Sequence, residues 1–488
     1  MSASTQTRRD FLRMASLAGA GLAGARLSAS SALRFTPVPA WLDPAPASAW
    51  DEVPAILARI KPPAFPSRDF DVTRYGAIGD GTADCTRALN DAIGACRAAG
   101  GGRVVVPPGT FLTGAVRLRS RVNLHLAAGA VLKFSQDPAK YLPVVFSRWE
   151  GTEVMNYSPF IYAFEETNVA ITGTGTLDGQ AGPSAWWPWS GKPDLGWKAG
   201  DPLQTPDRKR LMDMAAAGVP VADRVFGEGH YLRPQFVQPY RCQNVLIEGV
   251  TVINSPMWEL HPVLCTNVTI RDVTINSHGP NNDGCDPESC RDVLIDRCSF
   301  DTGDDCIALK SGRNDDGRRV GVPIENVIVR NCAMKDGHGG VVIGSEISGG
   351  ARNIFAEGCR MDSPNLDRAL RIKTNSVRGG LVERVYMRNV TVGQVAEALV
   401  TVNLFYEEGD TGRHTPIVRD IEVRNVTSKK SVYALLLRGY PRTPITDVRL
   451  VDCTFDNVEK DDVLECVKDL SLTNVTINGK VRNERITR

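Results

Sequence analysis

The sequence predicts an all-β fold, a right-handed parallel β-helix (a solenoid) with an N-terminal capping helix and loop insertions. Asn or Asp followed by an apolar run recurs along the chain, at intervals of 23, 25, 34 and 27 residues between 244 and 353. Short β-branched stretches lie between the copies, with almost no helical periodicity. A four-residue strand cannot bury its apolar face alone, so such repeats indicate coils that stack strand on strand. The copies begin at Asn168, Asn244, Asn267, Asp292, Asn326, Asn353, Arg384, Asp420, Asp447 and Asp469.

The N-terminal residues 1–32 have the pattern of a twin-arginine signal peptide. Arg8 and Arg9 precede a weakly apolar run that is too short to span a bilayer, and small residues at 23–25 offer a cleavage site. The alternative is an Ala-rich N-terminal helix. The signal interpretation predicts twin-arginine export to the periplasm or the medium.

The remaining chain divides into a lead-in and one long domain. Residues 33–66 are rich in Pro and Ala and predict a loosely packed lead-in, followed by a single β-helix domain over 67–488. An Ala-rich segment at 82–99 predicts the helix that caps the N-terminal end of the core. Residues 140–235 break the repeat with several Trp and Pro and a helical candidate at 208–217. This insertion either covers the core or has a function.

Composition excludes several partner classes. Lys and Arg total 57 against 56 Asp and Glu, which gives no basic excess for nucleic acid or a membrane surface. An anionic ligand would need a local cluster of cations. The 12 cysteines either form disulfides or stack as small core residues, and no pair has zinc spacing.

Four polar blocks interrupt the apolar ladders. In chain order they are Asn281-Asn282-Asp283, Gly303-Asp304-Asp305-Cys306, Gly337-His338-Gly339 and Arg371-Ile372-Lys373. Their offsets from the repeat pattern predict that all four lie on one lateral face of successive coils. Stacking would then bring Asp283, Asp304 and Asp305 into one cluster.

Three neighbouring carboxylates suit acid–base chemistry. Their repulsion raises the pKa of at least one, which can stay protonated as a general acid while another activates water. Inverting glycosidases need this division, with about 6.5–9.5 Å between acid and base. Arg371 and Lys373, two apart on a strand, point to the same side and suit a substrate carboxylate. A calcium site is the alternative for the Asp cluster, although it leaves the histidine unexplained.

With these blocks in order and suitably spaced, the chain resembles glycoside hydrolase family 28, the polygalacturonase family, over roughly residues 70–475. The resemblance implies that Asp304 is the general acid and that Asp283 and Asp305 activate the water. It implies that His338 supports the acid, that Asn281 belongs to the substrate-binding block, and that Arg371 and Lys373 hold a galacturonate carboxylate. It also implies inversion without a metal or organic cofactor. Asn282 stands where Thr is common in the family.

Two further residues are expected to contact the sugar, Trp258 and His261 in the segment 255–262. A core role for Trp258 is an equal alternative.

The implied substrate is polygalacturonate or an oligogalacturonide, cleaved at α-1,4-galacturonosyl linkages. The insertions at 140–235 and 405–416 favour attack at a chain end. The alternatives are an endo-acting or rhamnogalacturonan-active member, a calcium-dependent pectate lyase, or a glycan-binding β-helix without activity. The sequence leaves the oligomeric state open.

Overall fold

A computed structural model describes residues 48–488, so the predicted signal peptide at 1–32 and the first part of the lead-in lie outside the described residues. Four α-helices occur in this range: α1 (Val53–Arg59), α2 (Thr86–Ala98), α3 (Gln204–Ala216) and α4 (Asn314–Val320). None of the helices in residues 48–488 combines the length and apolarity needed to cross a membrane. Short 3-10 helices lie at Ala49–Glu52, Val72–Tyr75, Pro138–Tyr141, Trp187–Ser190, Pro193–Leu195 and Val221–Asp223.

The predicted right-handed parallel β-helix is confirmed. Its strands stack in parallel, coil on coil, into a 24-stranded sheet that is called the ladder sheet below; the final strand alone pairs antiparallel. Its strands are Asp69–Asp71, Asp80–Asp84, Gly102–Val106, Gly109–Thr113, Val122–Leu126, Ala130–Phe134, Thr167–Gly173, Thr176–Asp178, Gln243–Glu248, Thr251–Ile253, Thr266–Arg271, Thr274–Ser277, Arg291–Asp296, Ser299–Thr302, Ile324–Arg330, Ala333–Met334, Ala351–Glu357, Arg360–Met361, Leu381–Gln394, Ile417–Lys430, Ile445–Val451, Thr454–Phe455, Val467–Ile477 and Lys480–Ile486.

A second face of the coils forms the sheet that positions the site, and it is called the site sheet below. Its six strands are Ile307–Leu309, Val341–Gly344, Arg368–Lys373, Ala398–Asn403, Tyr433–Arg438 and Val463–Glu465. Isolated bridges continue it towards the N-terminus through Cys285 and Leu260 to the strands Val237–Tyr240, Ile161–Phe164 and Val116–Arg117. A small separate sheet contains Val145–Trp149, Thr152–Asn156 and Val225–Phe226.

The repeated Asn and Asp residues fix a turn at the start of a ladder-sheet strand in each coil. Asn244 and Asn267 have φ of 57° and 60°, a left-handed conformation that Asn tolerates better than other residues with a side chain. Their amides form a ladder, since Asn267 donates to Asn244 at 2.7 Å and Asn244 donates to Asn168 at 2.7 Å. Each coil therefore repeats both the turn and its hydrogen bond.

The cysteines are stacked core residues rather than disulfides. All 12 are unpaired, and all except Cys466 are buried. Several thiols donate to a carbonyl oxygen of the preceding coil, such as Cys265 to Pro239 at 3.2 Å and Cys290 to Pro262 at 3.2 Å. A small, weakly donating side chain suits this position because it fills the core and satisfies a buried carbonyl group.

The predicted capping helix corresponds to α2, whose Leu89, Ile93 and Cys96 are buried in the main hydrophobic core. The prediction of a loosely packed lead-in is corrected for its second half, which packs against the ladder sheet. Trp50 and Ile56 pack with Phe355 on the outer face of the ladder sheet. The apolar outer positions of these coils need a cover, and the segment around α1 supplies it.

The prediction of one continuous insertion at 140–235 is also corrected, because two separate segments leave the repeat within this range. Strands Ile161–Phe164, Thr167–Gly173 and Thr176–Asp178 form a regular coil between them. The repeat copy at Asn168 belongs to this coil. Residues before 161 carry the hairpin Val145–Asn156, and residues after 178 carry α3 and most of the tryptophans.

Candidate active site

The four polar blocks lie close together at the site sheet, on neighbouring coils. Along the strand Arg368–Lys373, Leu370 and Ile372 point into the core. Arg371 and Lys373 consequently point outward, because side chains alternate along a strand. The bridges from Cys285 to Ile307 place Asp283 and Asp305 in register on adjacent coils, and Gly284 donates its N–H to the Asp305 carbonyl at 2.9 Å.

The first block is held rigidly by its middle residue. The amide oxygen of Asn282 accepts from the Ser277 hydroxyl and the Gly279 N–H, both at 2.7 Å. Its amide nitrogen donates to the carbonyl oxygens of Ser255 and Met257, both at 3.1 Å. Asn282 is fully buried and thus ties the turn to the preceding coil. This fixes the adjacent Asp283.

The three carboxylates form one cluster in which each has a cationic or imidazole partner. One oxygen of each of Asp283, Asp304 and Asp305 lies within 4.8 Å of the others. Lys373 Nζ donates to Asp305 at 2.7 Å, and Arg371 reaches the same carboxylate at 3.4 Å. The His338 ring nitrogen Nδ1 lies 3.0 Å from Asp304.

Two parts of the cluster have shifted pKa values: Asp283 alone, and the pair formed by Asp304 and His338. Burial and the charge of Asp304 raise the pKa of Asp283 to about 7. Burial opposes ionisation of Asp304, but the hydrogen bond and charge of His338 outweigh it and lower the Asp304 pKa. That hydrogen bond also raises the pKa of His338 above its usual value. Both pKa shifts favour the proton on His338 over Asp304, whereas the resemblance implied that Asp304 is the general acid.

Lys310, a buried lysine that the sequence analysis did not identify, also contacts the carboxylate cluster. Lys310 Nζ donates to Asp283 at 3.4 Å and to Glu346 at 3.3 Å, and it lies 3.3 Å from Asp286. It also sits 4.1 Å from the centre of the Trp258 ring. Burial disfavours its charge, but Glu346, Asp283 and Asp286 outweigh that effect and raise the Lys310 pKa. Its position directly after the strand Ile307–Leu309 was the only available hint.

Trp258 and His261 were both expected to contact the sugar, but only Trp258 lies at the pocket. Trp258 lines the pocket described below but is only 3% exposed and packs with Trp149 and Met257, so it has a core role with one face towards the site. His261 is wrong as a substrate contact. It is fully buried, with its ring nitrogens 2.8 Å from Glu288 and 3.0 Å from Gln238. The sequence could not reveal that this histidine points away from the pocket.

A polar pocket with a cavity volume of about 250 Å³ opens above the carboxylates. Both insertions contribute residues to the pocket wall. These residues are distant in sequence from the four polar blocks. Its lining comprises Glu150, Ser190, Lys192, Gln204, Arg208, Trp258, Asn281, Asp283, Asp304, Lys310, Arg313, Ser345, Glu346, Lys373, Tyr406 and Glu407. A groove that shares Lys373 and Tyr406 with this pocket continues along the site sheet to Arg438 and Glu465. The pocket thus has wall residues from both insertions and continues into a groove along the site sheet.

The close carboxylates raise the question of a metal ion. Their oxygens are near enough to be ligands of one cation. However, Lys373 and Lys310 already supply positive charge to Asp305 and Asp283. A divalent cation would lie beside these ammonium groups, which is electrostatically unfavourable. The arrangement suits proton transfer better.

Comparisons with known proteins agree with this site. Residues 227–479 match the model of glycosyl hydrolases family 28, and residues 70–135 match a model described as rhamnogalacturonase A/epimerase, pectate lyase-like. The crystal structure of a hyperthermoactive exopolygalacturonase from Thermotoga maritima superimposes with a TM-score of 0.88 at 46% identity, covering 90% of this chain and 98% of that one.

Two relatives of known sequence extend the comparison. A probable polygalacturonase of Vitis vinifera is 30% identical over 401 residues, which cover 78% of this chain and 72% of that protein. An exo-poly-alpha-D-galacturonosidase of Dickeya chrysanthemi is 29% identical over 384 residues, covering 74% of this chain and 62% of that protein. Residues 227–479, which match the family model, include all four polar blocks of this chain.

Proposed function

The chain is a glycoside hydrolase that belongs to family 28, and from this premise we propose that it is an exopolygalacturonase that degrades pectin. Its substrate is polygalacturonate or an oligogalacturonide, cleaved at α-1,4-galacturonosyl linkages. The observation that carries the proposal is the pocket in which Asp283 and Asp304 meet wall residues from both insertions. The Thermotoga maritima exopolygalacturonase, at 46% identity, supports the same activity.

The chemistry follows from the partners of each carboxylate. The proton held between His338 and Asp304 at 3.0 Å is the one placed to reach the leaving oxygen through Asp304. Asp305, which accepts a hydrogen bond from Lys373 at 2.7 Å, suits activation of a water molecule, together with Asp283 once that residue has lost its proton. Arg371, which lines the groove, suits the carboxylate of a bound galacturonate.

Hydrolysis in this scheme inverts the anomeric carbon. The nearest oxygens of the three carboxylates lie within 4.8 Å, closer than the roughly 6.5–9.5 Å usual between the carboxyl groups of inverting enzymes. A water between them requires the side chains to separate when substrate binds. Proton NMR of the first product distinguishes the outcomes: a β-anomer supports inversion, and an initial α-anomer contradicts it.

Attack at a chain end follows from the shape of the pocket. Wall residues such as Glu150, Gln204 and Arg208 come from the insertion at 140–235 and narrow the pocket beside the carboxylates. The adjoining groove, lined by Arg371 and Arg438, leaves room for the rest of the polymer. A chain therefore enters by its end, and its terminal unit occupies the pocket.

The test is product analysis on polygalacturonate beside rhamnogalacturonan. An exopolygalacturonase releases monomer or dimer from the start and acts poorly on rhamnogalacturonan. An early ladder of long oligomers indicates an endo-acting enzyme. Unsaturated products that absorb in the ultraviolet, lost with a chelator, indicate a lyase, and binding without released sugar indicates a glycan-binding protein. Each of these last three results contradicts the proposal.

Export is part of the proposal, based on Arg8 and Arg9 and the apolar run that follows them. A polymer too large to enter a cell must be cut outside the cytoplasm. Replacing both arginines by lysine is expected to leave the protein in the cytoplasm of a bacterium that has the twin-arginine pathway. Unchanged export of the double variant would contradict the signal assignment.

A further inference from the structure

The charges on the pocket wall are balanced everywhere except at one place. Arg208 pairs with Glu150 at 2.7 Å, and Arg313 pairs with Glu346 at 3.2 Å. Lys310 and Lys373 pair with the carboxylates already described. Lys192 is exposed, lines the same pocket and has no ion pair among residues 48–488. Its ammonium group is therefore free to bind a ligand anion.

Next to the pocket lies a buried cation without a carboxylate partner among the described residues. The Arg233 side chain is fully buried, and burial lowers its pKa to about 10, so it stays charged at neutral pH. It donates only to neutral oxygens: Gln204 Oε1 at 2.9 Å, Asn281 Oδ1 at 2.7 Å, and the carbonyls of Pro256 at 2.7 Å and Pro280 at 2.6 Å. An unpaired buried charge is costly, which points to a role beyond folding.

Arg233 dictates which way two amides face. A guanidinium group has donors only, so Gln204 and Asn281 must both turn their oxygen towards it. Their amide nitrogens are then directed away from Arg233, and neither has a hydrogen-bond partner within residues 48–488. Both residues line the pocket. The wall thus presents two N–H₂ groups and one free ammonium group, all of them donors.

We propose that Lys192, Gln204 and Asn281 form a second carboxylate subsite, which binds the carboxylate of the terminal galacturonate in the pocket. The inference rests on the proposed function, because it assumes a polyanionic substrate. Arg371 and Lys373, which line the adjoining groove, suit the carboxylate of the next unit. One set of donors in the pocket and one in the groove match two consecutive galacturonates. Arg233 is the positioning residue that orients the amides.

The decisive variant is Gln204→Glu. It keeps the shape of the side chain and gives Arg233 an anionic partner, so the fold is preserved. It replaces the N–H₂ donor by a carboxylate oxygen that repels the ligand. Binding of D-galacturonate is measured by titration calorimetry beside neutral D-galactose, in an Arg371→Met background that weakens the other subsite. Loss of one charge-assisted contact is expected to weaken galacturonate binding roughly 10- to 100-fold and to leave galactose binding unchanged.

A second variant tests the same subsite without any risk to the core. Lys192→Met removes the free ammonium group at an exposed position, and about tenfold weaker galacturonate binding is expected. Lys198→Met, an exposed lysine of the same segment that does not line the pocket, and Gln243→Glu, on the ladder sheet, are the matched controls. Both controls are expected to bind like the parent protein.

The outcomes separate the two proposals. Unchanged galacturonate binding in both Gln204→Glu and Lys192→Met overturns the subsite even if the enzyme cleaves polygalacturonate. Equal losses for galactose and galacturonate also overturn it, because they indicate a general defect of the pocket. Failure of the parent enzyme to release galacturonate refutes the proposed function instead. In active variants, a raised KM for trigalacturonate with a smaller change in kcat supports a binding role.

Discussion

The two faces of each coil use repetition in opposite ways. On the ladder sheet, successive coils place the same residue type at the same turn, as in Asn326 and Asn353, whose amides bond at 2.9 Å. On the site sheet, successive coils place different residues at neighbouring positions, such as Asp305, His338 and Arg371. The first face repeats a stabilising contact, and the second collects unlike charges. The candidate active site lies where polar residues interrupt the repeated apolar pattern.

The energetic consequence is also opposite. A ladder Asn relieves backbone strain and adds a hydrogen bond, so it stabilises the fold. Asp283 is buried beside other carboxylates, and its raised pKa of about 7 shows that its charge is unfavourable in the folded protein. The site is therefore kept at a cost in stability. The variants below test this contrast, beginning with the largest effect.

Asp304→Asn removes the carboxylate that hands the proton to the leaving oxygen. Activity on polygalacturonate, measured as released reducing sugar, is expected to fall roughly 10²- to 10⁴-fold. Asp447→Asn is the matched control, because Asp447 holds a ladder turn with φ of 55° where other coils have Asn. The control should keep full activity. Full activity in Asp304→Asn would refute the catalytic assignment.

His338→Gln keeps a polar side chain near Asp304 but removes the titrating ring. The hydrogen bond and charge of His338 lower the pKa of Asp304, so their loss lets that pKa rise. We expect kcat/KM to drop about 10- to 100-fold and its alkaline limb, which reports loss of the shared proton, to move to lower pH. The pH profile is the measurement. An alkaline limb at its original pH would mean that the histidine does not hold the proton.

The sequence was sufficient where a residue interrupts a periodic pattern. Asp283, Asp304, His338 and Arg371 stand out because polar residues replace apolar ones at related positions in the repeat. The coil stacking that brings them together follows from the same period. The Ala-rich composition of residues 82–99 also predicted the capping helix, found at Thr86–Ala98.

The sequence was insufficient where neighbours come from outside the repeat. Arg233, Gln204 and Glu150 belong to the segment 140–235 and lie outside the repeat pattern, so no period relates them to the carboxylates. The misplacement of His261 has a different origin, because its orientation depends on Gln238 and Glu288 on the neighbouring coils, and no sequence pattern pairs these residues with it. Non-local packing decides such contacts, and a single sequence does not encode it as a pattern.

The contrast between the two faces is tested most directly by the thermal unfolding midpoints of Asp283→Asn and Asn326→Ala at pH 5 and pH 8. The Asp283 pKa of about 7 exceeds the ordinary value, so the folded protein binds this proton more tightly than the unfolded chain. Between about pH 4 and pH 7 the contribution of Asp283 to stability therefore falls as pH rises.

Removing this charge is expected to stabilise the protein by roughly 1–4 kcal/mol at pH 8 and by less at pH 5, while activity is lost. Asn326→Ala should instead cost about 2 kcal/mol at both pH values and keep activity, because Ala at φ of 57° is strained and two ladder hydrogen bonds disappear. A lower midpoint for Asp283→Asn at both pH values would contradict the account.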